Sequence, residues 1–335
     1  MSRVLIFLAL LFFLISCKSQ REMPTSDNFD VHELSSGVYA LIHKFGGKAI
    51  CNAGLIDLGD STIVFDTFLS LKAAEEIPSI VKQLELSPIK FVVNSHLHDD
   101  HIRGNQVFPK EVKIISTYRT AELIVKNEPE NLAYQKKYAP AQLALYDSLL
   151  KNYVGDTSSR AYKKILMWQP YYHVLVEENH LIKTRLPEIF IEKENAIKGS
   201  KRSVKFFSKG SGHTESDLIL FLPDEKIVFT GDLLFVDSHP YLADGSTDHL
   251  KEWLNFIDSL DAEIIIPGHG PIGDGQDLLL MTQYINSLEK IAANLIEKEL
   301  TPDQAVIPET FEQWWFERFF GWNMAFIYNN KKETK

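Results

Sequence analysis

Residues 94–101 read Asn94-Ser95-His96-Leu97-His98-Asp99-Asp100-His101. The pattern His-x-His-x-Asp-His places three imidazoles and a carboxylate within six positions, directly behind the apolar run Phe91-Val92-Val93. In an extended or turning segment, residues two apart point the same way, so His96 and His98 can grip one metal ion. Asp100 and His101 fall on the following turn and can face a second ion beside the first. Neutral imidazole combined with carboxylate suits zinc, with iron and manganese as competitors.

Further donors lie outward from this cluster, each just past an apolar run. Gly212-His213-Thr214 follows residues 204–207, Thr230-Gly231-Asp232 follows 227–229, and Pro267-Gly268-His269-Gly270 follows 263–266. The flanking glycines let the backbone turn sharply and come close to an ion. Donors from separate strand ends can converge on one edge while the strands hold them rigid. The chain around them alternates strand and helix patterns. Residues 38–42, 53–58 and 62–65 are short apolar runs divided by Gly and Asp turns, a β-meander. Residues 71–86 have helical spacing, with Ile77, Ile80, Val81 and Leu84 on one face. Residues 104–108 suggest a loop and 112–116 a strand. Residues 119–184 form a long Lys/Glu/Tyr-rich stretch of helical period, an insertion. Strands return at 204–207, 218–222 and 227–230, followed by a helix at 250–260, a strand at 263–266 and a helix at 278–298. No repeat of fixed period appears.

Composition bounds the function. The 335 residues are 45% hydrophobic and 24% charged, an ordinary globular mixture. A formal net charge of -10 argues against a nucleic-acid partner, whose phosphates most of such a surface would repel. Two cysteines, Cys17 and Cys51, exclude a disulfide scaffold and a thiolate zinc finger. Arg3 precedes an unbroken apolar run over 4–15, too short to span a bilayer, which needs about 20 residues. That reads as a secretory signal. Its end, Leu14-Ile15-Ser16-Cys17, resembles the bacterial lipoprotein signal box, in which the cysteine becomes the lipidated first residue. The resemblance implies a lipid anchor through Cys17 in the bacterial cell envelope. Lys18 at the next position points to the outer membrane, facing the periplasm. The expected organisation is a signal over 1–16, a tether over 17–29, a catalytic domain over 30–300 and a helical extension over 301–335.

The order of motifs resembles that of the metallo-β-lactamase-fold hydrolases: the strand ending Val64-Phe65-Asp66-Thr67, the 96–101 cluster, then His213, Asp232 and His269. The likeness covers roughly residues 30–285, apart from the insertion. It implies an α/β fold, the αββα sandwich of two mixed sheets flanked by helices. It also implies two zinc ions per chain. His96, His98 and His213 would hold the first, and Asp100, His101 and His269 the second. Asp232 would bridge both, and Asp66 would orient ligands from behind. A bridging aspartate matches glyoxalase II-like hydrolases and lactonases. The zinc β-lactamases generally have cysteine there or no protein bridge. Neither Cys17 nor Cys51 stands near that position in the sequence, so no cysteine ligand is expected.

The implied reaction is hydrolysis of a small carbonyl compound (an ester, thioester, lactone or amide) by a water shared between the zinc ions. Asp100 would orient that nucleophile while holding its metal. The alternatives are β-lactamase activity proper and a mononuclear iron oxygenase like persulfide dioxygenase. No Gly-x-Ser-x-Gly elbow offers a serine nucleophile. His239, in Asp237-Ser238-His239-Pro240-Tyr241, is expected near the metal edge as a substrate contact or proton donor, with a structural loop role as the other reading. His173 and His180 in the insertion, and His32, His43 and His249 on surface elements, are not expected to be ligands. Trp168, Gln169, Pro170, Tyr171 and Tyr172 either cap the metals or pack the insertion onto the body. Residues 311–322, rich in Trp and Phe, are expected to form a docked amphipathic helix.

Overall fold

The computed structural model describes residues 22–333. Cys17, the signal and the expected tether up to residue 21 lie outside the described residues. Seven strands form the first sheet in chain order: β1 (Phe29–Ser35), β2 (Val38–His43), β3 (Ala53–Asp57), β4 (Thr62–Phe65), β5 (Ile89–Val93), β6 (Lys113–Ser116) and β7 (Ile189–Phe190). The first four pair antiparallel, and β4 through β7 run parallel. The second sheet holds β8 (Glu194–Lys198), β9 (Ser203–Gly210), β10 (Asp217–Leu222), β11 (Ile227–Phe235) and β12 (Ile264–His269). Its order is β12-β11-β10-β9-β8, with only β11 and β12 parallel.

Period-two alternation sorts the side chains into layers. Ile63 and Phe65 of β4 meet Leu218, Leu220 and Leu222 of β10 in a core between the sheets. Val64 points the other way, into a core with Leu55, Val92 and the helix α1 (Leu71–Gln83), through Ala73, Ile77 and Ile80. The second sheet mirrors this, with Ile219 and Phe221 facing outward. Strands buried on both faces read as continuous apolar runs, which is why 62–65 and 218–222 were legible. Each such side chain removed from water contributes about 1.5–3 kcal/mol. The result is the expected αββα sandwich.

The remaining helices are α2 (Asp99–Ile102), α3 (Tyr118–Lys151), α4 (Arg160–Glu178), α5 (Thr247–Asp258), α6 (Gly275–Glu297) and α7 (Glu317–Glu333). The outward face of the second sheet packs on α5, α6 and α7 through Trp253, Tyr284 and Met324. The expected helical insertion is the α3–α4 hairpin, and it joins the body through Ile50 and Leu69. Glu178 at the end of α4 accepts from Ser70 Oγ (2.9 Å) and Leu71 N (2.6 Å), capping α1 across 107 positions of sequence.

Two expectations need correction, and two strands carried no prediction. The tether ends earlier than residue 29: Phe29 is fully buried and stacks on Phe68 at 5.0 Å, and Asn28 bonds to the 44–48 turn. The edge strands β7 and β8 had no sequence signal because their side chains are mostly exposed. The C-terminal helix does not span 311–322. It begins at Glu317, after a turn in which Phe311 and Trp314 are buried by the body.

Candidate metal centre

Parallel register between β4 and β5 sets Phe65 opposite Val93, so the two chains leave the sheet side by side. Asp66 follows with φ +57, a left-handed turn that aims its carboxylate at the neighbouring loop. There Oδ1 accepts from Ser95 N and Oδ2 from Ser95 Oγ, both at 2.8 Å. The single turn of α2 then lifts Asp100 and His101 over the sheet edge. In the second sheet, β11 and β12 pair parallel with Gly231 opposite Pro267, which brings Asp232 beside Gly268. A Cβ on Gly268 would collide with Asp232 Oδ1, so close approach requires glycine there.

The seven expected ligands converge at this edge. His98 Nδ1 stands 3.0 Å from both His96 Nε2 and His213 Nε2. Asp232 Oδ2 faces this trio, 3.3 Å from His213 Nε2 and 3.8 Å from His96 Nε2. Asp232 Oδ1 faces the other way, 3.2 Å from His101 Nε2 and 3.4 Å from His269 Nε2. Asp100 Oδ2 completes that side, 3.3 Å from His269 Nε2 and 3.7 Å from His101 Nε2.

Donors bound at about 2.0–2.1 Å to one tetrahedral ion stand roughly 3.3 Å apart, so both groups have the spacing of a metal shell. Two of the atoms concerned, His101 Nε2 and Asp232 Oδ1, are buried without a hydrogen bond, as ligand atoms lacking their ion would be. The residues therefore form groups that could hold metal ions.

Neighbouring carboxylates fix which nitrogen His101 and His98 present. Asp66 Oδ2 lies 2.8 Å from His101 Nδ1, leaving Nε2 for the cluster. Asp244 Oδ2 lies 2.9 Å from His98 Nε2, leaving Nδ1. Burial pushes His96 well below the ordinary imidazole value and His213 down to about 3, so both are neutral donors. Burial also opposes charge on His269, but Asp232 and Asp100 overcome it and raise the group to about 9. The same attractions hold Asp232 well below the carboxylate range despite its burial.

Asp244 was missed by the sequence reading, its only signal being the Asp-Gly turn it shares with Gly245. Cys51 was set aside and belongs nearby. Its Sγ, Asp100 and His101 place their donor atoms within 4.8 Å of one another, and the thiol meets the Asp100 carbonyl at 2.8 Å. Nothing in the sequence links Cys51 to a motif 49 positions away.

His239 is the reverse case. Expected at the metal edge, it has no exposed surface and sits among Tyr284, Trp314 and Phe320, with Nδ1 2.9 Å from the Tyr284 hydroxyl. Burial pushes it down to about 4. A proton donor must reach the substrate, and this ring does not enter the cavity above the cluster. Its role is packing. His43 also differs from expectation. It accepts from Ile50 N at 3.2 Å and is pushed down to about 3 by burial and then by His269.

A cavity of about 310 Å³ opens onto Asp100, Asp232 and His269. Trp168, Tyr171 and Tyr172 line it from α4, so the insertion does cap the cluster, and Tyr172 packs into the hairpin core as well. Gln169 turns away to Asp147, and Pro170 is buried. A second set of lining residues was not foreseen: Phe316, just before α7, and Phe319 and Trp322 within it, with Phe316 and Phe319 edge-on against Trp168 at 5.8 Å.

The model of the Metallo-beta-lactamase superfamily matches residues 46–269. The chain belongs to that superfamily. Two similar proteins are the Metallo-beta-lactamases type 2 of Bacillus cereus and of Bacillus sp. (strain 170). They are 23% and 21% identical over 252 residues, covering 73% of this chain and 77% and 76% of theirs. Among solved structures, a metallo-beta-lactamase from Pontibacter korlensis aligns with a TM-score of 0.55 at 17% identity, over 77% of this chain and 99% of that one. The metallo-beta-lactamase FIM-1 of Pseudomonas aeruginosa, in its mono-zinc form, aligns at 0.54 and 18%, over 79% and 97%. At these identities the structural likeness shows the fold. Among the described residues, no helix is long and apolar enough to cross a membrane.

Proposed function

We propose that the chain is a dizinc hydrolase that cleaves an ester, thioester, lactone or amide bond in a small carbonyl compound. Asp232 carries the reading: one of its oxygens faces His96 and His213, the other His101 and His269. A carboxylate in that position supports the glyoxalase II-like and lactonase ligand set over a cysteine-bearing one. Bound there, zinc would supply an acidified water and polarise the substrate carbonyl.

The chain's own residues do the rest. Asp66 and Asp244 hold His101 and His98 in the tautomers that present Nε2 and Nδ1. Asp100, which borders the cavity, is placed to hold a proton of the attacking water. The aromatic walls exclude bulk water and so strengthen each electrostatic contact inside.

Elemental analysis of the purified chain tests this. About two zinc per chain supports the proposal, whereas one iron favours the persulfide dioxygenase-like reading. Asp232→Asn should lose metal and activity together. Unchanged hydrolysis of every ester, lactone and β-lactam by His96→Ala would sink the catalytic reading. β-Lactam hydrolysis is the second reading, favoured by the names of the Bacillus relatives, and a chromogenic cephalosporin tests it. We further place the enzyme on the bacterial envelope through a lipid on Cys17; Cys17→Ala should then abolish incorporation of labelled palmitate.

A further inference from the structure

The cavity above the cluster has an unusual charge pattern for a site that would receive an anion. Among the described residues lining it, none is lysine or arginine, while Asp99, Asp100, Asp232 and Asp244 all contribute. Two guanidiniums touch lining residues, and both are committed elsewhere. Arg103 is buried behind the wall, 3.2 Å from Asp99 and 2.8 Å from Asn179 Oδ1. Arg318 lies 5.0 Å from the Trp168 ring centre, but it bonds to the Tyr146 and Tyr172 hydroxyls and borders a separate cavity. A carboxylate on a bound substrate would therefore find no lysine or arginine. It would have to compete with the scissile carbonyl for the cluster itself or stay unpaired, and an unpaired buried charge is costly.

The shape of the walls says what the cavity accepts instead. Phe316 and Phe319 stack at 5.4 Å with ring planes 13° apart, and Trp168 and Tyr172 stack at 6.1 Å and 24°. Trp168 also meets Phe316 and Phe319 edge-on, each at 5.8 Å, so the two pairs join into one aromatic lining. A planar ring entering the cavity can pair edge-on or offset-stacked with such a lining, beyond the apolar area it buries.

Building on the hydrolase reading, we infer that this cavity takes an uncharged substrate with a planar, aromatic group beside its scissile carbonyl and rejects substrates bearing a carboxylate. This is opposite to what a β-lactam, with its ring carboxylate, requires.

Two measurements on the zinc-loaded protein test it. In the first, phenyl acetate is compared with 4-acetoxybenzoate, each corrected for its rate in hydroxide alone. The neutral ester should have the higher kcat/KM by at least about tenfold. Trp322, half exposed on the cavity wall, provides the variants. Trp322→Arg should shrink the preference severalfold and Trp322→Phe should keep it. In the second, benzamide and benzoate are titrated against tryptophan fluorescence, which needs no turnover. Benzamide should quench with an affinity at least about tenfold tighter. Equal or better handling of the carboxylated partner in either measurement overturns the inference. If neither ester is cleaved but benzamide alone binds, the cavity's preference stands and the hydrolase reading fails.

Discussion

Asp66 Oδ2 lies 2.8 Å from His101 Nδ1, and both side chains are fully buried. The contact joins the end of β4 to the turn after β5 and leaves His101 only Nε2 to offer the cluster. Asp66→Asn keeps the size but replaces one acceptor oxygen with a donor, which no longer suits a protonated Nδ1. The variant should stay folded and lose roughly 10–100-fold in metal affinity or activity. Metal content per chain after dialysis, read beside kcat, checks this; unchanged zinc retention would refute it.

Gly268 predicts a steric failure. A methyl group there would occupy the position of Asp232 Oδ1. Gly268→Ala should displace the Asp232 carboxylate and abolish the stabilisation that added zinc gives, even where the zinc-free protein melts normally. Thermal unfolding with and without zinc separates the two effects, since a ligand at 100 times its Kd adds about 2.7 kcal/mol. For the parent chain, chelation should lower Tm.

Glu178→Ala removes the acceptor for Ser70 Oγ and Leu71 N, leaving a buried helix-end N–H unpaired. Urea unfolding should show a loss of about 1–3 kcal/mol. Glu178→Gln, which keeps one acceptor oxygen, should lose less. Equal stability of all three proteins would mean that this cap does not hold α4 to the body.

Glu128 gives stability a pH dependence. Burial raises its carboxyl from 4.5 to about 7, against the pull of the Arg103 guanidinium and with help from Asp99. Between those values the folded chain keeps a proton that the unfolded chain has released. Its contribution is therefore complete below 4.5 and lost as pH rises through 7. From pH 4.5 to 7.5, the parent should lose stability relative to Glu128→Gln by on the order of 1–3 kcal/mol. A constant difference across that range would rule this out.

The sequence was most readable where function demanded one residue type at one place. The cluster from His96 to His101 stood out by its dense spacing behind an apolar strand, and His213, Asp232 and His269 because an apolar strand and an adjacent glycine framed each. The sandwich followed from strands apolar on both faces. Asp244 and Cys51 were hidden because their partners lie 146 and 49 positions away, and a lone side chain carries no periodic pattern. His239 misled because a loop after a ligand strand can turn inward as readily as outward. Only the burial of Tyr284, Trp314 and Phe320 around it shows which.

Phe316, Phe319 and Trp322 make the cavity depend on the order in which the chain folds. The other lining residues all lie at or before His269, so this part of the cavity depends on a segment well downstream folding back onto it. Until it docks, the metal-binding side chains would lie more open to solvent. A fragment ending before Phe316 would thus carry every candidate metal-binding residue without this part of the aromatic lining that covers them.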